Sequence, residues 1–142
     1  MSPADSPGFL LWHVTLSWQR AIAAALAPLQ LTHAQFVLLA SLWWLSEQGG
    51  AAPNQLALAG QAGMDVKTTS QVLGRLEAKK LLTRTVDPGD TRAKQLHITA
   101  IGRRLAIHAI EAVEGADEQF FAPLGDSAKL LRVLRPLAGG AR

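Results

Sequence analysis

The sequence predicts a mainly α-helical chain with one small β-hairpin near its middle. Three observations lead there. Leu and Ala dominate a composition that is 49% hydrophobic, which favours helix. Apolar residues recur every three or four positions through most of the chain, the spacing of a buried helix face. The exception flanks Asp87-Pro88-Gly89-Asp90, where apolar and polar residues alternate as in half-buried strands. At 142 residues the chain is long enough for one domain with a core of its own, or for one protomer of an oligomer.

The first helix is expected from Phe9 to Leu29. Leu11, Val14, Trp18, Ile22, Ala25 and Leu29 form one face, and Trp12, Leu16, Ala23 and Leu26 form a second row beside it. A helix apolar on more than one side is covered by more than its chain neighbours, or it meets another subunit. Pro28 stands near its end. Thr32-His33-Ala34-Gln35 reads as a capping box opening a second helix to about Ser46. That helix is apolar nearly all round, as a central core helix is. Gly49-Gly50 closes the passage. Asn54 is positioned to cap a short helix to about Gln61, and Asp65 a further one to about Lys80, with the turn Ala62-Gly63-Met64 between them. Two short helices joined by a glycine-bearing turn match a helix-turn-helix.

Strands are expected at Leu82–Val86 and Lys94–Ile98, with Pro88 and Gly89 at the two central positions of a type II turn. Thr99 is placed to cap a long helix whose stripe runs through Ile101, Leu105, His108, Ala112, Ala116 and Phe120. Pro123-Leu124-Gly125 breaks it, and a last helix from Ser127 to Leu137 carries Leu130, Leu131, Leu134 and Leu137. Met1 to Gly8 and Gly139 to Arg142 read as loose ends. No internal repeat appears.

Charge is unevenly distributed. Between Asp65 and Arg104 stand 9 basic and 4 acidic side chains, against 5 and 7 in the rest of the chain. A basic block of this kind suits a polyanion, either nucleic acid or an anionic membrane surface. Cysteine is absent, which removes disulfides, thiolate nucleophiles and thiol redox sensing. The N-terminus lacks the basic and apolar regions of a signal peptide. The longest apolar run, FVLLASLWWL, is about half the length of a bilayer-spanning helix. The expectation is a soluble, cytoplasmic protein without a membrane partner.

On the helix that starts at Asp65, a rotation of 100° per residue gathers Thr69, Val72, Leu73 and Leu76 on one side. Lys67, Gln71, Gly74, Arg75 and Ala78 fall opposite, flanked by Thr68 and Ser70. Lys67 and Arg75 suit phosphate or guanine, Gln71 suits adenine, and Gly74 and Ala78 permit close approach. A bland solvated face would show the same residues. The basic hairpin that follows at once favours a nucleic-acid surface.

The run LTHAQFVLLASL, then NQLALAGQAGMDVKTTSQVLGRLEAKKLLTRTVDPGDTRAKQLHITAIGRRL, resembles the MarR family of winged-helix transcription regulators. The most specific piece is Arg84, Asp87, Pro88, Asp90, Arg92, Ile98, Thr99 and Gly102; the entry Leu31 to Phe36 is a second. The resemblance implies a winged helix-turn-helix plus a helical dimerisation domain built from both termini. Residues 1–31 and 100–142 would form the dimerisation region and residues 32–99 the DNA-binding lobe. It implies a homodimer on a pseudo-palindromic double-stranded operator, acting as a repressor of nearby genes. The recognition helix would bring Lys67, Thr68, Ser70, Gln71 and Arg75 to the major groove. Arg92 would reach the minor groove beside Lys94, with Arg84 and Asp90 supporting the wing. Family members usually carry glycine where this chain has Lys80. Lysine there strains a positive φ or shifts the helix end.

The family also implies a small aromatic or phenolic effector between the dimerisation helices and the lobe. Trp12, His13, Leu16, Trp43 and Trp44 are the candidates to line such a pocket, although aromatic residues at helical spacing serve equally as core and dimer contact. Catalysis is not expected. No His has a Ser or Cys partner at a recognisable spacing, there is no phosphate-binding glycine loop, and no cofactor or metal is implied. His108 and Glu111, one helical turn apart, lack further ligands for a metal. The competing function is a winged helix used for protein contacts alone. The retained Lys67, Arg75, Arg92 and Lys94 favour DNA.

Overall fold

The computed structural model describes residues 2–87 and 89–139; the side chains of Asp87 and of residues 90–93 lie outside that description. Among the described residues, six α-helices and one hairpin follow in order: α1 Pro7–Leu26, α2 His33–Glu47, α3 Gln55–Ala62, α4 Val66–Ala78, β1 Leu82–Asp87, β2 Asp90–Ile98, α5 Ala100–Phe121 and α6 Ser127–Leu134. The chain is thus mainly helical with one antiparallel hairpin, as its periodicity predicts.

Caps set the helix starts. Thr32 and Gln35 form the expected capping box on α2, with Gln35 N–H donating to Thr32 Oγ1 at 3.1 Å. Asn54, Asp65 and Thr99 each accept from the amide three residues on, opening α3, α4 and α5. The first helix starts two residues earlier than its periodicity suggests, because Ser6 caps it and Pro7 fits its first position. It also ends sooner. Ala27–Leu29 tightens into a 3-10 turn and Gln30 takes φ 57°, so α1 with that turn meets α2 at 73°. No single helix among the described residues is long and apolar enough to cross a membrane.

The hairpin is longer than the alternation predicts. β1 and β2 pair from Leu82 with Ile98 to Val86 with Lys94, and a register shift after Val86 brings Asp87 opposite Asp90. Such a bulge inserts residues that strict alternation does not reveal. The type II turn expected at Pro88 lies outside the described residues. Pro53 and Asn54 also run beside β2: the Leu96 amide donates to Pro53 O at 2.8 Å, and Asn54 bridges Gln95.

One continuous core joins these parts. Ile22 and Leu26 of α1, Leu38, Leu39 and Leu42 of α2, Leu58 of α3, Leu73 and Leu76 of α4, Leu82 and Leu96 of the strands, and Ala106 and Ala109 of α5 are all essentially buried. The central helix is α2, which packs on α3, α4, α5 and β2. Its all-round apolar sequence predicts that place.

Candidate nucleic-acid interface

The orientation of α4 follows from what it buries. Thr69, Leu73 and Leu76 are fully buried, and Asp65 holds the first turn by accepting from the Thr68 amide at 2.8 Å. That hydrogen bond lowers the Asp65 pKa, because it favours the carboxylate. With the inner side fixed, Lys67, Gln71 and Arg75 stand exposed at successive turns, each about 6 Å further along the axis. Thr68 and Ser70 are half-buried at its flanks. Val66, not singled out from the sequence, is also exposed at the head of this helix. Gly74 is less open than its position suggests, since a Cβ there would sit 3.6 Å from the Arg84 guanidinium.

Helix α4 ends with two hydrogen bonds, Leu81 N–H to Leu76 O at 3.1 Å and Lys80 N–H to Glu77 O at 2.9 Å. These are the paired bonds of a Schellman motif, which needs a left-handed residue between helix and exit. Lys80 supplies it at φ 62°. The left-handed geometry that favours glycine is therefore adopted here by lysine. Helix α3 ends the same way, with Gly63 at φ 67° and Met64 N–H bonded to Ala59 O.

Arg84 ties the hairpin to both helices. Its guanidinium reaches Glu77 Oε1 of α4 at 3.3 Å and Gln55 Oε1 of α3 at 3.0 Å, while its amide donates to Glu77 Oε2. The partners Glu77 and Gln55 are missed by sequence reasoning, because no helical or strand period links them to Arg84. Behind the hairpin, Thr99 donates through Oγ1 to Lys80 O and through its amide to Leu81 O. Gly102 packs there so closely that a Cβ would meet Leu81 O at 2.0 Å. Lys94 is exposed on β2. Arg92 and Asp90 have their backbone in β2, and their side chains lie outside the described residues.

A second link runs between the base of α4 and the front of α2. Lys79 Nζ donates to Gln35 Oε1 at 2.9 Å and to the carbonyl of Gln30. Neighbouring His33 packs edge-on to Trp18, whose indole N–H donates to Asp117 of α5 at 2.7 Å. Burial lowers the His33 pKa, with Asp117 opposing the shift.

The five aromatic-pocket candidates are not gathered into one enclosure within a single chain. Trp12 and Trp44 are 64% and 48% exposed, Leu16 is half-buried, Trp43 packs against the core, and His13 contacts the Phe9 ring. Among the described residues no group of three His, Cys, Asp or Glu can hold a metal.

Comparison with known proteins points one way. The MarR family model matches residues 31–94. An HTH-type transcriptional regulator of Bacillus subtilis, YdcH, is 38% identical over 95% of this chain and 91% of its own. An HTH-type transcriptional repressor of Mycobacterium tuberculosis, Rv2887, is 33% identical over 84% of both chains. The fold is similar to that of CouR from Rhodococcus jostii, solved with p-coumaroyl-CoA, at a TM-score of 0.79 and 28% identity, covering 97% of this chain and 92% of that one.

Proposed function

The chain belongs to the MarR family, whose members here are transcriptional regulators and not enzymes, and we propose that it is a cytoplasmic, homodimeric repressor that binds a pseudo-palindromic DNA operator. The observation that carries this reading is the joint presentation of α4 and the hairpin. Lys67, Gln71 and Arg75 stand on one exposed face, and the Arg84 bonds to Glu77 and Gln55 hold the basic hairpin beside it. Lys67, Thr68, Ser70, Gln71 and Arg75 enter the major groove. Lys94 meets phosphate, and Arg92 reaches the adjacent minor groove with Asp90 steadying the loop. Residues 32–99 form the DNA-binding lobe, and the two terminal regions form the dimerisation part. Two lobes related by a two-fold axis meet half-sites about one helical turn, ~34 Å, apart.

A small aromatic or phenolic ligand modulates this binding. The support is the bound p-coumaroyl-CoA of CouR and the exposed aromatic groups of α1 and α2, which a second subunit can enclose. Trp12, His13, Leu16, Trp43 and Trp44 line that pocket.

The test is a gel-shift with DNA from beside the protein's own coding region, at two salt concentrations. Affinity falls steeply with salt through counterion release. Arg92→Ala weakens operator binding by about 1–3 kcal/mol without loss of folding or dimerisation. Unchanged affinity in that variant removes the wing assignment, and no shift at low salt removes DNA binding itself.

A further inference from the structure

The 3-10 turn after α1 closes with two hydrogen bonds, Gln30 N–H to Ala27 O at 3.0 Å and Leu31 N–H to Leu26 O at 3.4 Å. These use the amides at the elbow between α1 and α2. The Gln30 carbonyl accepts instead from the Lys79 ammonium, 49 positions further along, at the C-cap of α4. The same Nζ donates to Gln35 Oε1 at 2.9 Å, an oxygen that also accepts from the Thr32 amide at 3.3 Å. Gln35 is only 6% exposed, so the packing of α2 fixes where that oxygen stands. One ammonium thus joins the exit of α1, the first turn of α2 and the end of α4.

Lys79 is an exposed residue and both acceptors are uncharged, so the tie adds little to stability. Its consequence is geometric. Burial of Leu73 and Leu76 sets the rotation of α4 about its own axis, while Lys79 fixes its end against the elbow. The 13 residues of α4 span roughly 20 Å. A tilt of about 10° about the Lys79 end moves the head of the helix by roughly 3.5 Å. That is about one base-pair rise, ~3.4 Å. In the two-fold dimer proposed above, the same tilt in both subunits changes the separation of the two recognition helices.

We propose that Lys79 is a positioning residue for operator binding: by tying the end of α4 to the Gln30 carbonyl and to Gln35, it sets the half-site spacing that the dimer accepts. This inference rests on the dimeric DNA-binding reading given above. Lys79 acts through α4 and not on DNA, since its ammonium is turned to the elbow. It therefore governs the distance between half-sites and leaves the bases within each half-site to the outer face of α4.

The test selects binding sites from a random-sequence DNA pool with the parent, Lys79→Met and Lys79→Arg, each as the full chain. The selected site is then rebuilt with one base pair added to or removed from the spacer. Parent affinity falls by about tenfold or more on either change. Lys79→Met selects the same half-site bases but loses only about threefold on changing the spacer. Lys79→Arg, whose several donors reach both acceptors, restores the parental spacing. Lys79→Gln, which keeps one hydrogen bond, gives an intermediate tolerance and serves if Lys79→Met does not fold. The salt slope stays at the parental value in every variant, because no phosphate contact is removed. Parental spacing in Lys79→Met, or in Lys79→Gln where that variant serves, overturns the inference alone. So does a salt slope reduced by about one, which makes Lys79 a phosphate contact. Altered half-site bases likewise overturn it, by moving Lys79 to base reading. A parent that selects no paired half-sites removes the dimeric operator reading, and this inference falls with it.

Discussion

Lys80 shows how a residue disfavoured by local rules is held by its surroundings. A left-handed conformation costs an ordinary L-residue about 1–2 kcal/mol, while glycine gives back roughly 0.5–1 kcal/mol through the entropy of its unfolded chain. The net expectation for Lys80→Gly is stabilisation by about 0.5–1 kcal/mol, seen as a higher urea midpoint. A midpoint that falls or stays level would mean that the left-handed backbone costs this lysine little. The sequence locates the conflict, since the resemblance places glycine there. It does not say whether geometry or residue yields. The close packing of Leu76 and Leu81, both buried, favours keeping the geometry. His33 carries a second prediction at this scale. Its folded pKa lies below the ordinary value, chiefly through burial, so the unfolded chain binds the proton more readily. That contribution to stability is complete above the ordinary histidine range and is lost as pH falls through it toward the lowered pKa. In His33→Gln, acidification from about pH 7.5 to 5.5 should therefore cost less stability than in the parent. Equal losses in denaturant titrations at the two pH values would exclude His33 as the source.

At the scale of elements, local chemistry was legible and distant pairing was not. Thr32, Asn54, Asp65 and Thr99 mark their helix starts because a short polar side chain reaches only its own first turn. The outer face of α4 was legible for a similar reason: burying Leu73 and Leu76 fixes its rotation. Nothing local tells that Pro53 runs beside Leu96, or that Lys79 reaches Gln35, 44 positions away. Nor does a period join Glu77 to Arg84, although that pair ties β1 to α4. Glu77→Ala leaves Arg84 with Gln55 and loosens the hairpin while removing no basic group. Stability should fall by about 1 kcal/mol, discounted because Glu77 is 41% exposed. If the pair positions the wing, operator affinity also falls while its salt dependence keeps its slope, since no phosphate contact is lost. A reduced slope would instead count Glu77 as a screen for a cation that meets DNA. Full operator affinity would leave the wing's bearing to the Thr99 and Gly102 contacts behind it.

At the scale of the molecule, the apolar surface is more than one chain uses. Leu10, Leu11 and Trp12 on α1 are about half exposed or more, and so is Val133 of α6. No residue of α6 is buried, although leucines recur along it at helical spacing. Exposed apolar surface of this kind suits the subunit interface proposed above, and the N- and C-terminal helices that carry it are those the resemblance assigns to dimerisation. A shared core makes folding depend on concentration. The unfolding midpoint of the parent should therefore rise with protein concentration, and light scattering should return twice the 15.2 kDa chain mass. Placing two carboxylates on the exposed stripe, with Leu131→Glu and Leu134→Glu together, should yield the single-chain mass and remove that concentration dependence. Because neither side chain is buried in one chain, the α2–α4 core is left intact, and far-ultraviolet circular dichroism of the helical fold should largely persist. DNA affinity should fall with dimerisation, since a lone lobe forfeits the second half-site. A double variant that stays dimeric at micromolar concentration would move the interface away from α6, leaving the exposed row of α1 to account for it.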